Sequence, residues 1–103
     1  MSAIALNTNQ MVWEEASSYP EGTMMKVLRE EGVTRSVLLK LPRAFYMGAH
    51  THTGGEQHLV LEGEYELGGE TYGPGTYRYV PAHTDHGPFT SRDGAVVLVV
   101  WEA

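Results

Sequence analysis

His50-Thr-His52-Thr-Gly-Gly-Glu56 constrains this chain more than any other stretch, because it packs three metal-ligating side chains into seven residues. Alternate side chains of an extended strand share a face, so His50 and His52 point the same way, near enough to grip one ion, and Thr51 points away. Thr53-Gly54-Gly55 is a break at which glycine lets the chain swing back toward the histidines. Glu56 then opens a second apolar strand through Leu59-Val60-Leu61. A further nitrogen is expected downstream, where the aromatic run Gly75-Thr-Tyr77-Arg-Tyr79-Val meets the Pro81 turn and His86 lies just beyond.

Composition narrows what such a cluster does. The chain of 103 residues suits one domain, and with 42% apolar against 19% charged residues it has the balance of a globular protein with a real core. Zero cysteines exclude disulfides and thiolate sites, so a metal would be held by nitrogen and oxygen alone. Thirteen acidic against seven basic residues, a formal charge of −6, repel phosphate backbones; nucleic acid and anionic membrane are poor partners and a small molecule is the better one. The N-terminus carries no basic stretch, only the short apolar Ala3-Ile4-Ala5-Leu6, and no apolar run approaches a membrane span. The expectation is a cytoplasmic protein.

The two histidine-bearing stretches resemble the paired motifs of the cupin superfamily. The first motif, Gly-x5-His-x-His-x3or4-Glu-x6-Gly, is matched by His50, His52, Glu56 and Gly63; the second, Gly-x5-Pro-x-Gly-x2-His-x3-Asn, by Gly75, Pro81 and His86. Ala44, His83 and Thr90 stand where the motifs have glycine, glycine and asparagine, none of them a ligand position. The resemblance implies an all-β fold, a single-domain jelly-roll barrel or double-stranded β-helix. It also implies a divalent ion (iron(II), zinc, manganese or nickel) held by His50, His52, Glu56 and His86. Within the superfamily, Gly-Gly-Glu-x-x-Leu-Val-Leu-Glu-Gly-Glu followed by Gly-x-Tyr and Pro-x-x-x-x-His is most similar to the group containing the ChrR anti-sigma cupin domain and small diketone-cleaving oxygenases such as acetylacetone dioxygenase. That likeness spans roughly Thr34 to the end, leaving residues 1–33 as N-terminal edge strands and 34–103 as the metal-binding barrel core of one domain.

Short strands joined by Gly or Pro turns are legible along the chain. Gln10 to Trp13 reads as a first edge strand with Trp13 laid over the barrel, and Ser17 to Gly22 as a loop. Thr23 to Arg29 and Thr34 to Leu41 read as strands joined at Glu30-Glu31-Gly32, the second with Val37, Leu39 and Leu41 on its core face. After Pro42, alternation over Phe45 to His52 puts Tyr46, Gly48, His50 and His52 on one face and Phe45, Met47 and Ala49 on the other. Leu67 to Glu70 is a two-residue hairpin. The continuous apolar run Ala95 to Trp101 reads as a strand buried on both faces or between two sheets. The apolar segment Met11-Val12-Trp13 is an edge able to exchange or pack across a two-fold axis, so a homodimer is expected.

His58 lies two residues after Glu56, so alternation aims it into the barrel on the metal side, as a proton shuttle or a partner holding Glu56, or as a neutral core histidine bonded to a carbonyl. His83 occupies a motif-glycine position, which predicts a turn or left-handed backbone; it reads first as a surface-loop residue and second as part of the mouth of the site. Tyr46 is a candidate hydrogen-bond partner for substrate, whereas Tyr77 and Tyr79, sharing one strand face, read as barrel filling.

Three imidazoles and one carboxylate leave two positions of an octahedral shell open, which suits a bidentate oxygen ligand such as the enolate of a diketone, a catechol or a hydroxy-ketone. The resemblance implies an iron(II) dioxygenase or a related lyase or isomerase on a small oxygen-rich molecule. The alternative is a non-catalytic zinc- or ligand-sensing module, since four protein ligands satisfy tetrahedral zinc.

Overall fold

Val37, Leu39 and Leu41 recur with period two, and they are 0%, 4% and 8% exposed, so the alternation read from the sequence is the alternation of the core. In a computed structural model, which describes residues 2–102, they lie on β3 (Thr34–Leu41). This strand is paired antiparallel with β2 (Met24–Glu31) and with β10 (Ala95–Trp101). The larger sheet runs β1 (Glu14–Glu15), β2, β3, β10, β5 (Glu56–Gly63) and β8 (Tyr77–Val80). A four-stranded sheet of β4 (Phe45–Met47), β9 (Phe89–Ser91), β6 (Tyr65–Leu67) and β7 (Glu70–Tyr72) faces it. Val60, Val97 and Val99 from the first sheet meet Phe45, Tyr65 and Phe89 from the second in one apolar cluster. Burying side chains such as Val37 and Val60 contributes about 1.5–3 kcal/mol each relative to exposure, and the architecture is all-β, as the residue pattern predicts, in the jelly-roll form that the resemblance implies.

Gly63 shows why a motif glycine sits at the end of β5: its φ is +69°, and a Cβ there would stand 2.2 Å from the carbonyl oxygen of Gly94. Ala44 and His83 replace two other motif glycines yet keep their backbone, with φ +57° and +58°, so the departures alter side chains and leave the turns intact.

Three expectations are corrected. The first edge strand is Glu14–Glu15, paired to Met24 and Met25, while residues 8–10 form a 3-10 turn; Trp13 does cover the sheet, its ring lying 4.4 Å from the Lys26 ammonium. Lys26 is buried for this reason, with its charge also donating to the Thr8 carbonyl at 2.6 Å. The strand expected over Phe45–His52 stops at Met47. Finally, β10 buries Ala95, Val97 and Val99 fully and leaves the alternate residues half-buried, so only one of its faces is core.

Candidate metal centre

From Gly48 the chain leaves the sheet, and a single two-bond bridge recaptures it: His50 N–H donates to the His86 carbonyl at 3.0 Å and His86 N–H returns to the His50 carbonyl at 2.9 Å. His83 N–H adds a third tie to the His52 carbonyl at 2.8 Å. Gly87 permits the approach, since with φ +111° a Cβ there would sit 2.8 Å from Ala49 Cα. The bridge brings residues 36 positions apart in sequence into ring contact, His50 and His86 at 4.3 Å between centroids, with His52 4.7 Å from His50 and 5.3 Å from His86. One ring nitrogen from each of the three lies within 4.8 Å of the others, a grouping able to hold a metal ion.

Glu56 and His58 come from β5, where strict alternation turns both inward and leaves them 4% and 7% exposed. Glu56 Oε1 accepts a 2.6 Å hydrogen bond from His58 Nε2. Its Oε2 lies 2.8 Å from His52 Nε2, off hydrogen-bond geometry, and 3.8 Å from His86 Nε2. Glu56 Oε2 and both His86 ring nitrogens are therefore buried without a hydrogen-bond partner among the described residues. Orphaned buried polar atoms cost about 1–3 kcal/mol each, and an ion among them would give these groups a partner. Three imidazoles and a carboxylate fit a divalent ion of borderline softness.

The electrostatics suit the same purpose. Burial pushes the Glu56 carboxyl up, but the His58 hydrogen bond and the neighbouring histidines outweigh it and hold it below the ordinary carboxylate value. Burial lowers His86 to about 4, against the raising effect of Glu56 and with the help of the other histidines. At neutral pH the pair is thus anion and neutral imidazole, the forms that bind metal.

Behind Glu56 two hydrogen bonds have a fixed direction. Arg78 Nη1 donates to the Tyr65 hydroxyl at 3.2 Å, and that hydroxyl meets His58 Nδ1 at 3.1 Å. Arginine has no acceptor, so Tyr65 accepts from it, and the Glu56 carboxylate accepts from His58 Nε2–H. Burial raises the Tyr65 pKa despite Arg78, so the phenol keeps its proton. His58 thus stands in the structure as a hydrogen-bond partner of Glu56.

Tyr46 is a correction. It is 61% exposed between buried Phe45 and inward Met47, on the face away from the histidines, because the alternation is reset at Gly48-Ala49 before His50 turns in. His83 is exposed, in the surface-loop position that the sequence favours. Tyr77 and Tyr79 are 57% and 50% exposed, outside the barrel they were expected to fill; Arg78 between them is the inward residue. The sequence reading passed over Arg78, Tyr65 and Tyr19. Period two through Tyr77 and Tyr79 would have found the first, while Tyr19, in the Ser17–Gly22 loop, has no local signal. Tyr19 lines the inner cavity beside His50, Glu56 and His86, and burial, then the Glu56 charge, raises its pKa well above the usual phenol value. The inner cavity holds about 40 Å³, room for a few waters or the tip of a ligand.

No curated protein matches the chain. Among solved structures it is similar to the Rhodobacter sphaeroides complex of SigE with the anti-sigma factor ChrR, with TM-score 0.75 and 22% identity over 93% of this chain and 52% of that one, so it spans about half of the matched chain. It is similar to an RmlC-like cupin protein from Ralstonia eutropha, with TM-score 0.82 and 20% identity over 100% and 70% of the two chains. A third likeness is to the acetylacetone dioxygenase of Acinetobacter johnsonii, with TM-score 0.77 and 14% identity over 98% and 73%. These identities carry the fold and nothing finer. The family model for the ChrR cupin-like domain matches residues 1–103, its whole length, and the chain belongs to that cupin family.

Proposed function

We propose that the chain is a metal-dependent cupin in which His50, His52, Glu56 and His86 hold one divalent ion, and that it acts on a small oxygen-rich organic molecule as an iron(II) dioxygenase or a related lyase or isomerase. The observation that carries the reading is the set of buried, unpartnered polar atoms, Glu56 Oε2 and the His86 nitrogens, beside the His50 and His52 rings. When bound, such an ion supplies Lewis acidity toward a chelating oxygen pair and, as iron(II), one-electron chemistry. The chain's own contribution is positioning. Glu56 is kept anionic and oriented by His58, Tyr65 and Arg78, while Leu39, Phe45, Phe89 and Val97 keep bulk water out of the inner cavity. The likeness to an acetylacetone dioxygenase supports the substrate class. Purification under anaerobic conditions with iron, then oxygen uptake on β-diketones and phenols, tests the reading; uptake is expected, and iron-loaded protein inert toward all of them overturns the oxygenase form.

A second reading, a zinc- or ligand-sensing module without catalysis, is favoured by the family match and the likeness to the ChrR complex. Tightly held zinc with no exchangeable water on it decides for this alternative. In either case we read the protein as a cytoplasmic homodimer pairing through its N-terminal segment, where Val12 is 81% exposed beside a two-residue edge strand. Sedimentation at micromolar concentration checks this, with a dimer expected. Among the described residues no helix is long and apolar enough to cross a membrane.

A further inference from the structure

The larger sheet carries a row of residues in register: Glu30 on β2 opposes Arg35 on β3, Arg35 opposes Trp101 on β10, and Trp101 opposes Glu56 on β5. Arg35 and Trp101 lie two residues beyond Val37 and Val99 on the same strands, so they face the lumen at its open end. Two strand spacings separate Arg35 from Glu56, about 10 Å across the sheet. Beside Arg35 opens an outer cleft of about 480 Å³, walled also by Trp101, Tyr19, Met47, His50 and His52. Its volume is twelve times that of the inner cavity, so the body of any ligand of the metal lies out here.

In a chain with a formal charge of −6, the wall of this cleft has no carboxylate and one permanently charged group, Arg35. The guanidinium lies 5.3 Å from the centre of the Trp101 ring, which braces it, and its Nε stands 2.7 Å from Glu30 Oε2. Among the described residues Nη1 and Nη2 make no hydrogen bond. The Glu30 carboxylate is 56% exposed, so it anchors the side chain while water screens most of its charge. A braced guanidinium with two free amino groups is the donor fork that a carboxylate accepts in bidentate fashion.

We infer that Arg35 is an anion-recognition residue at the mouth of the site, and that the ligand is a small carboxylate: a chelating oxygen pair reaches the metal ligands at one end and a carboxylate meets Arg35 at the other, with its planar middle against Trp101. The inference rests on the metal-centre reading for one end of the ligand only. It narrows the oxygen-rich molecules of that reading to those bearing a negative charge a few bonds from the chelating pair.

Two probes separate the ends: 2,4-pentanedione has the chelating pair alone, and 2,4-dioxopentanoate has the same pair plus a carboxylate. Calorimetric titration of the full chain loaded with nickel(II), which holds the ligand without turnover, reads both dissociation constants. The dioxopentanoate is expected to bind at least about tenfold tighter, with the preference shrinking as salt is raised. Arg35→Gln abolishes the preference, leaves the pentanedione constant within about twofold and keeps full metal content and circular dichroism; Arg35→Lys keeps part of it, and Glu30→Gln keeps or enlarges it. A preference that survives in folded Arg35→Gln overturns the inference, as does its absence from the parent protein. Metal content separates the two readings. A parent chain that takes up no nickel overturns the metal centre, and an Arg35-dependent preference for dioxopentanoate in that metal-free protein still upholds the anion site.

Discussion

The candidate metal centre has two halves built on different principles. Glu56 and His58 stand on the first stretch of β5, paired on both sides ahead of the register shift beyond Val60, and are tied into the barrel wall through Tyr65 and Arg78. His50, His52 and His86 stand on segments outside the strands, held to each other by three backbone hydrogen bonds and by the close approach at Gly87. In the strand half every inward polar atom except Glu56 Oε2 has a partner; in the loop half the His86 nitrogens have none. The strand half is thus held by the barrel wall in all but one oxygen, whereas the loop half leaves both nitrogens of buried His86 unpaired.

Four measurements would break or sharpen that contrast. Removing a ligand from the loop half, His86→Ala or His50→Ala, is expected to lower metal affinity by about a thousandfold or more, roughly 4 kcal/mol, while the metal-free protein keeps its urea midpoint to within the cost of a small cavity. If the metal-free variant unfolds, the loop half is structural and the contrast fails. Tyr65→Phe acts on the strand half. It leaves His58 Nδ1 without its partner, so metal affinity is expected to fall ten- to a hundredfold and the metal-free protein to lose about 1–3 kcal/mol, read by metal competition and by denaturation.

The third measurement concerns pH in chelator-treated protein. His86 has a folded pKa of about 4 against an ordinary 6.5, so between those values the unfolded chain binds the proton that the folded chain refuses. Stability is therefore complete above pH 6.5 and falls as the pH drops, by roughly 2 kcal/mol between pH 7 and pH 5. His86→Gln flattens that slope, and an unchanged slope would mean the imidazole is not held neutral. The smallest effect is expected at Tyr46→Ala, within about 0.5 kcal/mol in stability and with unchanged metal affinity, because the ring projects from the outer face.

What could be read beforehand follows the same division. Where a strand stays regular, one residue fixes the orientation of its neighbours: Glu56 predicts His58, and Val37 predicts Leu39 and Leu41. The match to the two cupin motifs, rather than local alternation, foretold the meeting of His86 with His50 and His52, 34 and more positions away. Across Gly48-Ala49 the period is interrupted, so alternation carried from Tyr46 to His50 gave the wrong face for the tyrosine. Tyr19 and Arg35 carry no such signal, each for its own reason. Tyr19 sits on a loop placed only by tertiary packing, and Arg35 is one surface charge among several until its register with Trp101 and Glu56 is known.

The one-way hydrogen bonding behind Glu56 also closes an exit. A proton could drain from His58 to the far side of the barrel only if each member of the file could hand one onward, and the file ends at Arg78, which cannot receive. Under the proposed function, an acidic hydrogen taken up near Glu56 would depart by the way it came, through the mouth or back onto the bound molecule, so the barrel would be a blind alley for it.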